Sequence, residues 1–296
     1  MFKKQISINI KDLKEMMKRY YDSTPEYYRS LEQIKGGCHQ SLVSLIISHN
    51  FKNIIDAGCG VGKQCILLEK ELKKQNYKFN YIIGYDISPH AIAISEEIKK
   101  QNNSNCQFYQ VDLEAPWSKE LESNVDIVHS SHVLEHLVNP TAFLENVYRV
   151  LRNGGALYIT FPGIFKCFSI PFTHNAIPIK IRLLKLYDIF IMIFNRDYIK
   201  FRFTTPTLAK ITDDSDMVFL SFTPEIVRFL EKMGFDVKEV NIKGFIIAFK
   251  DNTASKKRKR LSLIYLTQLM IFFIDLCYRK TRDCLKIRNC SGKDIL

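Results

Sequence analysis

The sequence predicts a doubly wound α/β domain, and three observations predict it. Short runs rich in β-branched and aromatic residues, N-I-I at 53–55, Y-I-I-G-Y at 81–85 and C-Q-F-Y-Q-V at 106–111, alternate with stretches of helical spacing. Each run ends on an acid, at Asp56, Asp86 and Asp112. Between the first run and its helix lies G-C-G-V-G, residues 58–62, a loop with glycine at alternate positions. Strands that alternate with helices call for a parallel sheet covered on both faces, and such sheets bind ligands outside the carboxyl ends of their strands.

Composition sets the bounds. A chain of 296 residues holds one large α/β domain with additions, or two small ones. Its 46% hydrophobic and 25% charged content is ordinary for a globular protein. The 8 cysteines are scattered with no C-x-x-C pair, and M-F-K-K-Q-I-S-I-N-I lacks the apolar core of a signal peptide, so reduced cysteines and a cytoplasmic setting are expected. The net charge of +12 is uneven: residues 251–296 carry 11 Lys and Arg against 4 acids.

Residues 1–34 read as a helical flap, with Leu13, Met16, Met17, Tyr20 and Tyr21 on one face and Pro25 opening a second helix. A helix over roughly 38–49 leads into the first strand. The loop Gly58, Cys59, Gly60, Val61, Gly62 then delivers that strand into a helix N-terminus, whose unpaired N–H groups suit a carboxylate or phosphate. The second strand ends at Asp86, where a carboxylate can accept both hydroxyls of a ribose, and Ile87 beside it offers an apolar surface. Ser88 and Pro89 start the next helix as N-cap and first residue. The third strand ends at Asp112 and Leu113.

The fourth strand, Val125 to His129, runs into S-S-H-V-L-E-H-L. His132, Glu135 and His136 match H-x-x-E-H, the inverted zinc-peptidase pattern. That pattern needs one long helix, and here His132 falls in a strand-to-helix turn with Asn139-Pro140 close behind, so no metal site is expected. His129, inside the strand, reads as a core histidine. Asn153-Gly154-Gly155 reads as the turn before a fifth strand, A-L-Y-I-T-F, closed by Pro162-Gly163. A helix with Thr223 as N-cap, Pro224 first and Gly234 after its end precedes two strands, at about 235–241 and 245–250. The short turn at Lys243-Gly244 makes those two antiparallel.

The run D-x-G-x-G-x-G resembles motif I of the class I S-adenosylmethionine-dependent methyltransferases. V-L-E-H-L followed by a helix and V-L-R-N-G-G is similar to the stretch after the fourth strand of UbiG-like small-molecule methyltransferases. The resemblance covers about 35–163 and 221–250 and implies a Rossmann-like sheet of seven strands with the last one reversed. It implies a cofactor, S-adenosyl-L-methionine, held by Asp56, Gly58, Cys59, Gly60, Gly62, Asp86, Ile87, Asp112, Leu113 and Ser131, with Asp112 toward the adenine amino group and the Ser131 carbonyl toward the methionine amine. It also implies a flap at the N-terminus and a helical substrate cap in the insertion, residues 164–220.

Two segments exceed the minimal domain. The insertion begins apolar and basic and turns acidic at T-D-D-S-D. The helical tail, 251–296, carries the basic run Lys256 to Arg260 and then about 18 apolar residues, roughly 27 Å as a helix. Asp275 within that run disfavours a membrane span, at about 2.5–3.5 kcal/mol on insertion scales, and leaves a packed helix or a peripheral helix on the inner face of a membrane, facing anionic lipid through 256–278.

The expected activity is methyl transfer, to the hydroxyl of a small-molecule, lipid-linked or glycan acceptor. His132, His136 and His174 are the candidate bases, since an imidazole near pKa 6.5 can take a hydroxyl proton. Three rivals stand beside this reading. An RNA methyltransferase fits the charge, but no N-P-P-Y-type tetrapeptide follows the fourth strand. A nicotinamide dehydrogenase is disfavoured because Lys63 stands where G-x-G-x-x-G needs its third glycine. A non-catalytic, membrane-attached binding module on the same fold is the third.

Overall fold

The computed structural model describes residues 10–33, 39–162, 216–219, 221–241 and 244–251, together with 184, 187–188, 190–192, 194–195, 197–204 and 206. The first part of the insertion, with His174, lies outside the described residues, and so does 252–296, with the basic and apolar runs of the tail.

Two helices open the described chain, α1 (Ile10–Asp22) and α2 (Pro25–Gln33), separated where Pro25 starts afresh. α3 (Gln40–Ser48) leads into β1 (Asn53–Ala57), then α4 (Lys63–Lys74), β2 (Tyr81–Asp86), α5 (Pro89–Gln101) and β3 (Gln107–Gln110). β4 (Val125–Ser131), α6 (Pro140–Val150) and β5 (Leu151–Thr160) follow. After the insertion come α7 (Thr223–Met233), β6 (Phe235–Asn241) and β7 (Phe245–Lys250).

The seven strands form one sheet in the order β3-β2-β1-β4-β5-β7-β6. β1 to β5 pair parallel, whereas β7 runs antiparallel to both β5 and β6 and lies between them. The last strand is therefore reversed, as expected. Side chains alternate along the central strands, so each strand feeds two cores. Ile54 and Ile127 join Ile46, Leu72 and Ile94 beneath α3, α4 and α5. Ile55 and Val128 join Phe143, Val147 and Leu230 beneath α6 and α7. Each such fully buried aliphatic side chain contributes about 1.5–3 kcal/mol.

Three boundaries differ from the sequence reading. β4 runs on to Ser131 because its ladder with β5 continues to Thr160. The Asn153-Gly154-Gly155 turn is absorbed into β5 as an irregularity: the register passes from Val125↔Leu151 to Ile127↔Ala156, and the surplus residues loop out at Gly154, φ +74. At α7 the N-cap is Phe222, with no side-chain bond, and Thr223 is the first helical residue, its hydroxyl buried. Pro89 and Ser88 behave as expected, the Ser88 hydroxyl accepting the Ala91 N–H at 3.3 Å.

The described part of the insertion packs along α7. Arg228 donates to the carbonyls of Met192 at 2.7 Å and Asn195 at 3.0 Å, and Arg202 pairs with fully buried Asp188. The far end of the insertion returns to the parallel strand tips, where Val218 and Phe219 donate backbone N–H groups to the Glu135 carbonyl, both at 2.8 Å.

Candidate active site at the strand tips

The glycine loop takes its shape from two neighbours. Gly58 sits at φ +81, and a Cβ there would come within 2.1 Å of Val133. Gly62 sits at φ +73, and a Cβ there would come within 2.5 Å of the Phe108 ring. Only glycine meets both conditions. The N–H groups of Gly58 and Cys59 donate to the Tyr85 carbonyl at 2.7 and 2.9 Å, which fastens the loop to β2. Gly62 is the N-cap of α4 with no side chain to spend on it.

Asp86 closes the loop from the other side. Its carboxylate accepts the N–H of Gly60 and that of Ser88, each at 2.9 Å. Burial nevertheless lifts its pKa to about 6, against the pull of those amides. Tyr28, buried on α2, faces the same acid, and burial together with the Asp86 charge pushes its phenol up.

Asp112 is held twice. Its Oδ1 accepts the Glu114 N–H at 2.9 Å, and its Oδ2 lies 2.8 Å from Lys14 Nζ on α1. Lys14 also pairs with Glu114 at 3.1 Å, and Glu114 in turn accepts the N–H groups of Val138 and Asn139 at 2.6 and 2.9 Å. One carboxylate thus ties together the N-terminal helix, the tip of β3 and the loop after β4. Leu13 and Met17 of α1 pack on Val138 and Val218 and complete the joint.

Asp56 and the histidines form a further part of the wall. Asp56 is buried, its Oδ1 2.9 Å from Nδ1 of His129 and its Oδ2 3.4 Å from the Cys65 thiol. After β4, Ser131 bonds Thr160 through its hydroxyl at 2.7 Å. His132 follows at φ +55, a conformation that strains a residue with a side chain. Its exposed imidazole places Nδ1 3.4 Å from Glu135, which is fully buried. His136 is more enclosed, with Nδ1 3.3 Å from Asp216 and Nε2 3.8 Å from Glu135, and Tyr21 donates to the same Asp216 at 3.1 Å. His132 and His136 therefore sit on a turn and a single 3-10 turn, Leu134–His136, not along the helix that a zinc-peptidase motif requires.

All of these groups converge on one cavity of about 410 Å³. Asp56, Gly58, Cys59, Gly60, Asp86, Ile87, Asp112, Leu113, Ser131, His132 and His136 line it, and Gly62 lies just behind, at the start of α4. Among the described residues of the insertion, Asp216 alone reaches that lining.

Residues 48–182 match the model of a methyltransferase domain. Over that stretch, just under half of the chain, this is a methyltransferase domain. Among curated relatives, trans-aconitate 2-methyltransferase of Deinococcus radiodurans is 25% identical over 139 residues, 47% of this chain and 49% of that protein. The mitochondrial ubiquinone biosynthesis O-methyltransferase of Dictyostelium discoideum is 28% identical over 116 residues, 36% of this chain and 34% of that one. The matched stretch spans about half or less of the length of these relatives. Among solved structures, magnesium protoporphyrin IX methyltransferase from Synechocystis PCC 6803 with bound SAH superposes with a TM-score of 0.50 at 15% identity, over 80% of this chain and all of that one, and so shares the fold.

The solved methyltransferase that shares this fold holds SAH, the demethylated form of S-adenosylmethionine. The walls suit such a molecule: an ionisable acid at the tip of β2 for a diol, apolar Ile87 and Leu113 for a base, and bare backbone at the glycine loop. Several lining residues escaped the sequence reading. Lys14, His39 and Asp216 reach the methyltransferase cavity from helices or loops remote in sequence, and no local motif marks them. His129 did carry a signal, a titratable residue inside an apolar strand, and the ladder places it directly opposite Asp56 on β1.

Proposed function

We propose that this domain transfers the methyl group of S-adenosylmethionine to a hydroxyl of a small-molecule acceptor, with His132 receiving the hydroxyl proton. One observation carries the reading: the glycine loop, Asp86 and an exposed histidine backed by buried Glu135 share a single cavity. The relatives named as O-methyltransferases support the oxygen acceptor. The bound sulfonium supplies a methyl group that is already electrophilic, so the protein has chiefly to align and to exclude water.

The chain's own residues then divide the work. Asp86 accepts the ribose hydroxyls, Ile87 and Leu113 flank the adenine, and Asp112 takes its amino group. The backbone of Gly58, Cys59 and Gly60 lets the cofactor lie close, Gly62 shapes the loop from behind, and Asp56 and the Ser131 carbonyl serve its amino-acid end. His132 Nδ1 lies 3.4 Å from Glu135, which helps to orient the exposed ring toward the acceptor. His136 is turned toward Asp216 and Glu135, and its part is to hold the loop and the insertion in register. The basic and apolar run 256–278 would bring the protein to anionic lipid, and sedimentation with phosphatidylserine vesicles at low and high salt tests that arm separately.

The deciding experiment incubates purified protein with radiolabelled S-adenosylmethionine and a fractionated cell extract. Label in a low-molecular-weight or lipid fraction, lost in Asp86→Ala, is the expected result. Label that follows RNA would overturn the acceptor class, and absence of any binding of S-adenosylhomocysteine by calorimetry would overturn the cofactor reading itself.

A further inference from the structure

His129 is the least explained polar group in the cavity wall. It lies on β4 directly across from Asp56 on β1, is 2% exposed, and lines the cavity. Its Nδ1 is committed to Asp56 at 2.9 Å, so that nitrogen carries the proton it donates. Nε2 is buried and has no hydrogen-bond partner in the protein. A buried ring nitrogen without a partner costs about 1–3 kcal/mol, a penalty a folded chain seldom carries without a use.

Asp56 shows the complementary pattern. The acid that the methyltransferase resemblance turns toward the cofactor has both oxygens engaged by the protein itself, one by His129 and one by the Cys65 thiol. Asp56 lines the cavity itself, and part of its charge is also relayed there through the imidazole. With Nδ1–H donating to the carboxylate, a neutral ring presents the Nε2 lone pair, and the pair as a whole keeps one negative charge in a buried place. A primary ammonium answers both needs, a donor for Nε2 and a positive charge for the pair. His39 borders the same spot, its ring centroid 6.0 Å from that of His129, and burial lowers its pKa and keeps it from competing as a cation.

We infer that His129, set by Asp56, is a binding residue for the α-ammonium group at the amino-acid end of the cofactor, accepting a hydrogen bond at Nε2. The inference rests on the cofactor reading above and adds to it a residue outside the glycine loop and the strand-tip acids.

The test compares two ligands on two proteins. S-adenosylhomocysteine carries the amino acid, and 5′-methylthioadenosine carries the same nucleoside without it. His129→Asn keeps a donor for Asp56 but removes the atom at the Nε2 position. Calorimetry is expected to show S-adenosylhomocysteine weakened about tenfold or more in His129→Asn, with 5′-methylthioadenosine unchanged. Equal loss of both ligands, or loss of neither, would overturn the role of His129 and leave the cofactor reading standing. Wild-type protein that binds neither ligand would overturn the cofactor reading, and this inference with it. Should the variant fold poorly, the imidazole ¹⁵N resonances of the wild-type protein answer instead: Nε2 of His129 should move with S-adenosylhomocysteine and stay put with 5′-methylthioadenosine, and a resonance unmoved by both overturns the role.

Discussion

Lys14 Nζ stands 2.8 Å from the Asp112 carboxylate, joining α1 to the segment just past β3, and both residues line the cavity. The pair is part exposed on both sides, and pairs of that kind are worth about 0.2–1 kcal/mol, too little to lock the helix shut. It is enough to slow its opening. Lys14→Ala is expected to speed dissociation of S-adenosylhomocysteine a few-fold in stopped-flow fluorescence, and high salt should bring the wild-type rate toward that of the variant. Identical rates at low salt would place cofactor exit elsewhere.

Asp86 sets a pH dependence whose sign follows from its environment. Its pKa in the folded protein is near 6, above the ordinary 3.8. Between those values the folded state keeps a proton that the unfolded chain has lost, so the stability this group lends is present at low pH and is lost as pH rises through about 6. Binding runs the opposite way, since ribose hydroxyls donate to the ionised carboxylate. Affinity for S-adenosylhomocysteine is therefore expected to fall as pH drops below about 6, while Asp86→Asn, with one oxygen left for the Gly60 and Ser88 N–H groups, binds poorly at every pH. A flat wild-type affinity profile down to pH 5 would contradict this.

His132 and His136 are expected to separate kinetically. His132→Ala removes the proton acceptor and should lower turnover about 10²–10⁴-fold with the identified acceptor, leaving the dissociation constant for S-adenosylhomocysteine within about twofold of wild type. Glu135→Gln should lower turnover less and shift the acid limb of the pH–rate profile. His136→Ala instead loosens the contact with Asp216, so a lower melting temperature with modest kinetic loss is the expected pattern. If His136→Ala proves the more damaging to turnover at equal stability, the two roles are reversed.

Gly62→Ala offers a steric test. The new Cβ would lie 2.5 Å from the Phe108 ring and force φ +73 on a residue that resists it. The backbone part alone is of order 1–3 kcal/mol, and crowding adds a similar amount. A fall of several degrees in melting temperature is expected, with Phe108→Leu restoring the crowding part and not the backbone part.

Much of this was legible in the chain because local signals and tertiary structure agree at the strand tips. Ile54 and Ile55, the alternate glycines, Asp86 and the Ser88-Pro89 helix start each declare themselves within a few residues. What stayed hidden depends on contacts distant in sequence. Nothing around Lys14 marks it for Asp112, and nothing around Asp216 marks it for Tyr21 and His136. The Asn153-Gly154-Gly155 signal was real but was absorbed as a bulge, because the β4–β5 ladder resumes on its far side. Thr223 has every mark of an N-cap, yet the cap falls on Phe222, whose ring is buried and whose carbonyl accepts the Glu225 N–H at 2.9 Å.

The position of β7 has a consequence for how the protein is made. Phe245–Lys250 is the last strand among the described residues, but it fills the slot between β5 and β6. Until the ribosome has released Lys250, a nascent chain exposes the open flanks of β5 and β6, both ready to pair with a neighbour. A stop anywhere before Phe245 would therefore yield a sheet with its inner rung missing, and such a product is expected in the pellet rather than as a slightly shortened enzyme.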